Sequence, residues 1–426
     1  MNLNIGLSLT ALAMAMSGSE PPPPSETRYV APAVQGTGDG TSRANAAALA
    51  SINTMIAEAG PGGTVAIASH LGDYAQTTPI TLSAAGAAGN PVTITGMNAA
   101  DEPTRPKFVG NRTAWVSPAT EAGAVNAAAY GGNTLFAAAA GIGHLAFKFL
   151  RFERLGRIID FSGITADGFL FEDCRGFNLH DGIYTNNLSA ITNLVVQRCP
   201  ATGFSKKFIR FHGACANWQV LDSHIDSRWQ AGDNFAVGIE CADTAHDLLI
   251  EGGSTVNCRD TLTSYFNGDG VVSERTNRGI HILNHASNGH TDAGYDLKSE
   301  DSSVTGCAAR DNKRNFRIWG GLETPIPLVG CSSIAPHGRG GGSVHHLWVD
   351  GGDDAGSPGG RVAVDGLVAS GGDEGMTAFY IDGFNSTIAL TGLDITLSTG
   401  SVYKTSPATG STITGLPVAT RHQPSS

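Results

Sequence analysis

The chain contains acidic and basic residues whose types suit proton transfer or the binding of an anion. They stand in short segments of alternating apolar and polar residues, and they are Arg210, His212, Glu240, Glu274, Asp296, Lys298, Arg314 and Arg317. Carboxylates beside lysine and arginine can bind an anionic ligand, hold a metal ion or transfer protons. The chemistry therefore depends on whether the fold brings these segments side by side.

The densest of these segments runs from Gly294 to Gly321. Successive side chains of a strand point to opposite faces, so the pattern assigns each residue to one side. The residues predicted to face the core are Tyr295, Leu297, Phe316 and Ile318, and those predicted to face outward are Asp296, Lys298, Arg317 and Trp319.

The same pattern of alternating apolar and polar residues recurs along the chain. We place further opening strands at Ile183 to Asn186, Ile209 to His212, Val237 to Glu240, Val271 to Glu274, Leu347 to Asp350 and Phe379 to Asp382. A second recurring column consists of Cys174, Cys199, Ser223, Gly253, His285, Cys307, Cys331, Leu367, Leu393 and Leu416. One such unit cannot bury its apolar side alone, so the units must stack. The sequence therefore predicts an all-β, single-stranded parallel β-solenoid with loops of variable length.

Stacking predicts two outward columns of side chains. The first is Tyr184, Arg210, Gly238, Val272, Asp296, Arg317, Trp348 and Tyr380; the second is Asn186, His212, Glu240, Glu274, Lys298, Trp319, Asp350 and Asp382. Neighbouring strands lie about 4.8 Å apart, so the charged residues would form one patch across five coils. The aromatic residues Trp319, Trp348 and Tyr380 would extend it as a sugar-stacking track. The alternatives are a solvated face with charges paired between coils, and an ordinary aromatic ladder.

This repeat resembles that of the right-handed parallel β-helix proteins of the pectin-lyase-like group, which includes polysaccharide lyases, glycosidases and phage tailspike depolymerases. The resemblance covers Gly36 to Thr420 and includes a Gly-Asp-Gly-Thr turn, a short helix and a strand from Gly62 to Val65. It implies one right-handed β-helix domain over residues 29–426. A helix from Arg43 to Ala59, with Ser42 as its cap, is expected to cover the N-terminal end of the core.

The residue types and the resemblance together favour cleavage of an acidic, uronate-containing polysaccharide by β-elimination. Arg317, Arg210 or a Ca²⁺ ion held by Glu240, Glu274 and Asp296 would neutralise the sugar carboxylate. Lys298 would remove the adjacent proton, provided that the cation or the arginines lower its pKa, because the carboxylates alone would raise it. The residues predicted to bind the substrate are Arg210, His212, Asp296, Arg314, Trp319 and Trp348.

Two other functions fit the same residues. Glu240 and Glu274 would be the acid and the nucleophile of a retaining glycoside hydrolase if adjacent strands place them about 5 Å apart. Alternatively, the surface only grips a glycan, as in a receptor-binding tail or adhesin. Release of reducing ends separates either enzyme from a binding protein.

Composition narrows the partners and the location. The net charge of −11 argues against nucleic acid, whose binding depends on phosphate neutralisation. Residues 1–28 read as a hydrophobic peptide followed by a proline-rich linker, and the apolar run is too short to span a bilayer. We interpret this peptide as a secretion signal or a particle-docking segment. The protein is therefore expected to be secreted, periplasmic or on a virion tail, where the resemblance implies a homotrimer. Four of the seven cysteines, Cys174, Cys199, Cys307 and Cys331, stand at one equivalent position of the coil. They are expected to be buried thiols stacked inside the core rather than disulfides or a metal site.

Overall fold

The computed structural model describes residues 26–113, 131–230, 235–261, 263–404 and 409–415. Its 37 strands form a coil with three faces, and the pairings between them are parallel. The first face consists of β1 (Thr27–Ala31), β2 (Ala47–Ala48), β3 (Thr64–Ala68), β6 (Val92–Met97), β9 (Gly143–Lys148), β12 (Thr165–Glu172), β14 (Ala190–Gln197), β16 (Ala216–Leu221), β19 (His246–Glu251), β22 (Arg278–Leu283), β25 (Ser303–Thr305), β28 (Ile326–Val329), β31 (Arg361–Asp365), β34 (Thr387–Thr391) and β37 (Thr412–Thr414).

The other two faces share the long strands β13 (Arg175–Tyr184) and β15 (Ala201–Phe211). The second face adds β4 (Tyr74–Ala75), β7 (Lys107–Val109), β10 (Arg151–Glu153), β17 (His224–Asp226), β20 (Ser254–Val256), β23 (Ala286–Asn288), β26 (Ala308–Arg310), β29 (Ser332–Ile334), β32 (Val368–Gly371) and β35 (Asp394–Leu397). The third adds β5 (Ile80–Leu82), β8 (Thr134–Ala138), β11 (Arg157–Asp160), β18 (Val237–Cys241), β21 (Asp269–Ser273), β24 (Ala293–Leu297), β27 (Arg314–Ile318), β30 (His345–Asp350), β33 (Thr377–Asp382) and β36 (Val402–Lys404).

The predicted solenoid is confirmed, and so is the assignment of the inward residues on the third face. A fully buried column of that face consists of Ile239, Val271, Tyr295, Phe316, Leu347 and Phe379. The rings of Tyr295 and Phe316 stack with centroids 5.3 Å apart. Each coil therefore buries its apolar side against the next, as a solenoid requires.

The four cysteines predicted to stack inside the core are buried and free. Cys174, Cys199, Cys307 and Cys331 are each at most 3% exposed. Leu416, the last member of that column, lies outside the described residues.

The predicted N-terminal helix is shorter than expected. The α-helix, α1, runs from Ile52 to Ala59, whereas Arg43–Asn45 and Leu49–Ser51 are single 3₁₀ turns. Between those turns the backbone is extended because β2 pairs with β1, and Ser42 makes no capping hydrogen bond through its side chain. The prediction of a helix from Arg43 is therefore wrong.

The expected role of the helix as a core cover fits its buried side chains. Ile52 and Ile56 are fully buried and pack into the apolar core at the β1 end of the first face. No helix among the described residues is both long and apolar enough to cross a bilayer.

Candidate functional site

The charged residues lie on the third face, where backbone pairing fixes their order. The first outward column is Tyr184, Arg210, Glu240, Val272, Asp296, Arg317, Trp348 and Tyr380. Seven of these eight positions match the prediction. The remaining one, the third position, is wrong, because Glu240 and not Gly238 pairs with Arg210.

This shift of two residues separates the carboxylates that were expected to be neighbours. Glu240 pairs with Val272, whereas Glu274 comes two residues further along its strand. Two strand spacings, about 10 Å, separate Glu240 from Asp296. The charged residues thus form two clusters with Val272 between them, and not one continuous patch.

The first of these, the Glu240 cluster, consists of Lys207, Arg210, His212 and Glu240. Lys207 and His212 each form a short hydrogen bond with a different carboxylate oxygen of Glu240, and Arg210 Nε lies 4.0 Å from it. Burial would raise the pKa of Glu240, but the His212 hydrogen bond and the Lys207 charge outweigh it and lower the pKa to about 2. Glu240 is therefore a buried anion with both oxygens occupied.

The second, the Lys298 cluster, consists of Tyr265, Glu274, Asp292, Asp296, Lys298, Lys313, Arg314 and Arg317. Lys298 Nζ lies 2.8 Å from Glu274 Oε1 and 3.8 Å from Asp296 Oδ2. Burial alone would lower the pKa of Lys298, but the Asp296 and Glu274 carboxylates outweigh it and raise the pKa. The arginines do not supply the lowered pKa that the sequence interpretation required.

Asp292 is the centre of this cluster, although the sequence analysis did not identify it. Its carboxylate is fully buried and lies 2.9 Å from Arg314 NH1 and 3.0 Å from Arg317 NH1. Lys313 Nζ lies 3.6 Å from the Asp292 carboxylate, and the Tyr265 hydroxyl donates a hydrogen bond to that carboxylate at 2.9 Å. Arg317 NH1 also reaches Asp296 Oδ2 at 3.4 Å. Asp292 thus holds the two arginines in place.

A signal for Asp292 was present in the sequence. Ala293 pairs with Arg314, so Asp292 stands opposite Lys313 on the adjacent coil, directly before the opening strands. Extending the first outward column four residues upstream from Asp296 and Arg317 would have paired these two charges.

Aromatic rings cover the cationic side of the Lys298 cluster. The guanidinium of Arg317 lies 4.5 Å from the centroid of Trp319 and 4.8 Å from that of Trp348, and the two rings are 5.1 Å apart. Nε of Arg317, Nε1 of Trp319 and Nε of Arg314 are buried donors with no acceptor among the described residues. Such donors are costly, at about 1–3 kcal/mol each, unless a ligand or water accepts from them.

Two long insertions, at 259–269 and 336–344, lie against this site. Gly341 N donates to Ser264 O at 2.6 Å, which joins the insertion at 336–344 to that at 259–268. Lys313 Nζ donates to Phe266 O at 2.9 Å, and Arg314 donates to the Tyr265 hydroxyl. The walls are therefore fixed to the buried cations.

The three carboxylates predicted to bind Ca²⁺ do not form one site. Glu240 is occupied by Lys207 and His212, while Glu274 and Asp296 are paired with Lys298. Among the residues that the structure describes, no group of three or more His, Cys, Asp or Glu has metal-binding geometry. The donor set does not fit the ion, and we derive no step through it.

The fold defines the class to which the chain is similar: it is a right-handed parallel β-helix. No family model and no curated protein matches the chain. Among solved structures it is similar to the A-module of the mannuronan C-5 epimerase AlgE6 of Azotobacter vinelandii, with TM-score 0.57, 15% identity and coverage of 88% of this chain and 95% of that one.

Two further structures show the same fold. The AlgE4 A-module of that organism has TM-score 0.54 and 13% identity, with coverage of 93% of this chain and 100% of that one. The GH136 lacto-N-biosidase of Eubacterium ramulus has TM-score 0.53 and 11% identity, with coverage of 90% and 68%. At these identities the likeness establishes the fold alone.

Proposed function

We propose that the protein binds an acidic, uronate-containing polysaccharide along its third face and cleaves it by β-elimination at the Lys298 cluster. One observation carries the proposal: Lys298 and Arg317 lie against Trp319, beside buried N–H donors that lack an acceptor. A uronate residue supplies an apolar ring face for the indole and a carboxylate for the cations.

The formal charge of the cluster suits one carboxylate. Its four cations are Lys298, Lys313, Arg314 and Arg317, and its three ionised carboxylates are Glu274, Asp292 and Asp296. Burial, followed by the charges of Asp292 and Asp296, raises the pKa of the neighbouring Asp269 well above its usual range and favours its neutral form. While Lys298 is in its ammonium form, one uronate carboxylate would neutralise the remaining positive charge; cleavage then requires Lys298 to lose its proton.

Each residue has a definite task in the elimination. Arg317 pairs with the sugar carboxylate and makes the proton on the adjacent carbon more acidic. Lys298, in its neutral form, takes that proton, and the electron pair forms the new C=C bond. The C–O bond to the neighbouring sugar breaks, and the departing oxygen takes a proton from water. Because Glu274 and Asp296 stabilise the ammonium form of Lys298, cleavage should increase as the pH rises above neutrality.

The similar structures support polysaccharide chemistry on this scaffold. Two are mannuronan C-5 epimerases and one is a lacto-N-biosidase. Epimerisation at C5 of a uronate and β-elimination share removal of the same proton, so the test below must separate them.

Hydrolysis by Glu240 and Glu274 has less support. A general acid must hold a proton near the working pH, whereas Glu240 is an anion with pKa about 2 and both oxygens bonded. Its strand position is also offset by two residues from that of Glu274.

The test is incubation of the pure protein with a panel of acidic polysaccharides. We expect ultraviolet absorbance from an unsaturated uronate to grow together with new reducing ends. New reducing ends without that absorbance would indicate a hydrolase. Solvent deuterium incorporated at C5 without chain cleavage would indicate an epimerase. Binding without any of these changes would indicate a glycan-binding protein, and each of these three outcomes would overturn the lyase proposal.

The proposed substrate implies a location outside the cytoplasm, either secreted or periplasmic, or on a virion tail as a homotrimer. Residues 1–19, which bear on this, lie outside the described residues. N-terminal sequencing and the molar mass of the protein from its natural source test this proposal; an intact Met1 on a free cytoplasmic monomer would contradict it.

A further inference from the structure

A second arginine of the outward column, Arg210, has surroundings like those of Arg317. The guanidinium of Arg210 lies 4.7 Å from the centroid of the Tyr184 ring, and that of Arg317 lies 4.5 Å from the centroid of Trp319. The Nε of each arginine is a buried donor with no acceptor among the described residues. Each arginine therefore places a cation with an unused hydrogen bond against an aromatic ring.

The carboxylate nearest to Arg210 is bonded to other groups. Glu240 lies 4.0 Å from Arg210 Nε, which is too far for a hydrogen bond. Both oxygens of Glu240 are instead taken by Lys207 and His212. The side chain of Arg210 is 24% exposed, so a ligand in the groove can reach its guanidinium. A ligand carboxylate would supply the missing acceptor through charge-assisted hydrogen bonds.

The Tyr184 ring lies between two guanidiniums. Arg157, on the preceding strand of the third face, lies 3.4 Å from the ring centroid, and Arg210 lies on the following strand. Arg157 donates to the carboxylate of Asp160 and is therefore already paired. Arg210 is thus the arginine left for a ligand, and Tyr184 offers a fixed ring for the apolar face of a sugar.

Backbone register fixes the distance between the two arginines. From Arg210 the column passes Glu240, Val272 and Asp296 before it reaches Arg317, which is four strand spacings, about 19 Å. Val272, at the middle of that distance, is a short apolar side chain and is 5% exposed, so it does not stand in the path. A sugar residue in an extended chain is about as long as one strand spacing, so about four residues would separate the two positions.

We propose that Arg210 and Tyr184 form a second uronate subsite, so that the preferred substrate is a chain of about five or more residues with a uronate at both ends of that span. This inference rests on the proposed function, because it takes Arg317 to hold the uronate at the point of cleavage. Uronate homopolymers meet the spacing, and so do polymers in which every second residue is a uronate. The protein then cuts long chains and leaves short oligomers as poor substrates.

The experiment measures initial cleavage rates on chains of defined length. Tetramers and octamers are prepared from the acidic polysaccharide that the protein cleaves best. We expect kcat/KM to be about tenfold or more higher on the octamer, because a hydrogen bond to a charged group contributes on that order. Equal values on the two chains would overturn the inference and leave the proposed function standing. If no polysaccharide is cleaved, both fail.

Variants of Arg210 test the cause of the length preference. Arg210→Gln should lower kcat/KM on the octamer by about tenfold, through KM, and leave most of the rate on the tetramer. Arg210→Lys should retain part of the preference, because it keeps the charge but loses the planar fork. Both chains are measured with one preparation, so partial misfolding lowers the two rates alike and cannot imitate a loss confined to the octamer.

The matched control is an exposed arginine of the first face. Arg278 pairs with Asp301 there, and Arg278→Gln should change neither rate. Equal losses on the tetramer and the octamer in Arg210→Gln would indicate a structural role for Arg210 and would overturn the proposed subsite.

Discussion

Two charged clusters on one face of this β-helix contain the same residue types but differ in exposure and in how completely their polar groups are paired. In the Glu240 cluster, Lys207 and His212 occupy both oxygens of one carboxylate, and the side chains of Lys207 and Glu240 are 8% and 11% exposed. In the Lys298 cluster, Lys298 is 18% and Glu274 41% exposed. Three buried N–H groups in or against it have no acceptor among the described residues, compared with one, Arg210 Nε, in the Glu240 cluster. The comparison teaches that charge composition alone does not distinguish the two clusters, whereas side-chain exposure and the number of unpaired donors do.

The largest expected effect is a loss of turnover after substitution in the Lys298 cluster. Lys298→Ala should lower kcat by about a thousandfold, because a positioned base contributes on that order. Lys298→Arg should be almost as inactive, since a guanidinium hardly ever gives up its proton near neutral pH. Initial rates of unsaturated uronate formation measure both.

The control for that prediction is another paired lysine. Lys148 lies 2.9 Å from Glu172 on the first face, so Lys148→Ala removes a similar ion pair away from the groove. It should retain wild-type kcat, and a comparable loss there would point to a general effect on folding.

Substitutions in the Glu240 cluster should instead change the stability of the fold. Lys207→Ala leaves the Glu240 anion buried without its ammonium partner, which should cost about 3–5 kcal/mol of unfolding free energy. Lys207→Met combined with Glu240→Leu should cost less than either single change, because neither member of the buried Lys207–Glu240 pair is left without the other. Chemical denaturation of the wild type, Lys207→Ala, Lys207→Met, Glu240→Leu and the double variant measures this. Additive losses in the double variant would contradict the account of Glu240 as a structural anion.

The pH dependence of stability sharpens the same contrast. The pKa of Glu240 is about 2 in the fold against 4.5 in the unfolded chain. A depressed pKa gives stability that is present above pH 4.5 and is lost as the pH falls from 4.5 toward 2, at about 1.4 kcal/mol per pH unit. Glu240→Gln should therefore flatten the acid limb of the stability curve by about 3 kcal/mol, and an unchanged limb would contradict the assigned partners.

The sequence predicts which face of a strand a residue occupies more reliably than it predicts which residue of the next strand lies beside it. Alternation within a strand correctly placed Tyr295 inside and Lys298 outside, because it needs no knowledge of the loops. The register of Glu240 failed by two residues although the strand begins at Val237 as predicted. Val237 pairs with Lys207 and not with Ile209, because the preceding strand extends upstream of Ile209. A shift of two residues does not change which side of the strand a residue faces. Glu240 was therefore placed on the correct face but beside the wrong neighbours.

The position of the site walls was within reach of the sequence, but their contacts were not. The insertions at 259–269 and 336–344 stood out by length. That Tyr265 would donate a hydrogen bond to Asp292 depends on how those loops fold back, which no periodicity records. The raised pKa of Lys298 likewise follows from distances to Asp296 and Glu274 that only the packed structure supplies.

The smallest expected effect is a shift of the alkaline limb of the rate profile. Glu274 raises the pKa of Lys298 through its charge and a hydrogen bond at 2.8 Å. Glu274→Gln should therefore lower that pKa and move the rise in kcat toward neutral pH by about one unit. If the limb stays where it is in the wild type, Lys298 is not the group that titrates in catalysis.

The most direct test of the central claim measures both clusters on one substrate. Initial rates of unsaturated uronate formation would be compared for the wild type, Lys298→Ala, and the double variant Lys207→Met with Glu240→Leu, after thermal melts have confirmed that each is folded. The account predicts a loss of about a thousandfold for Lys298→Ala and a rate near that of the wild type for the double variant. A folded double variant without activity, or a Lys298→Ala protein with the wild-type rate, would contradict it.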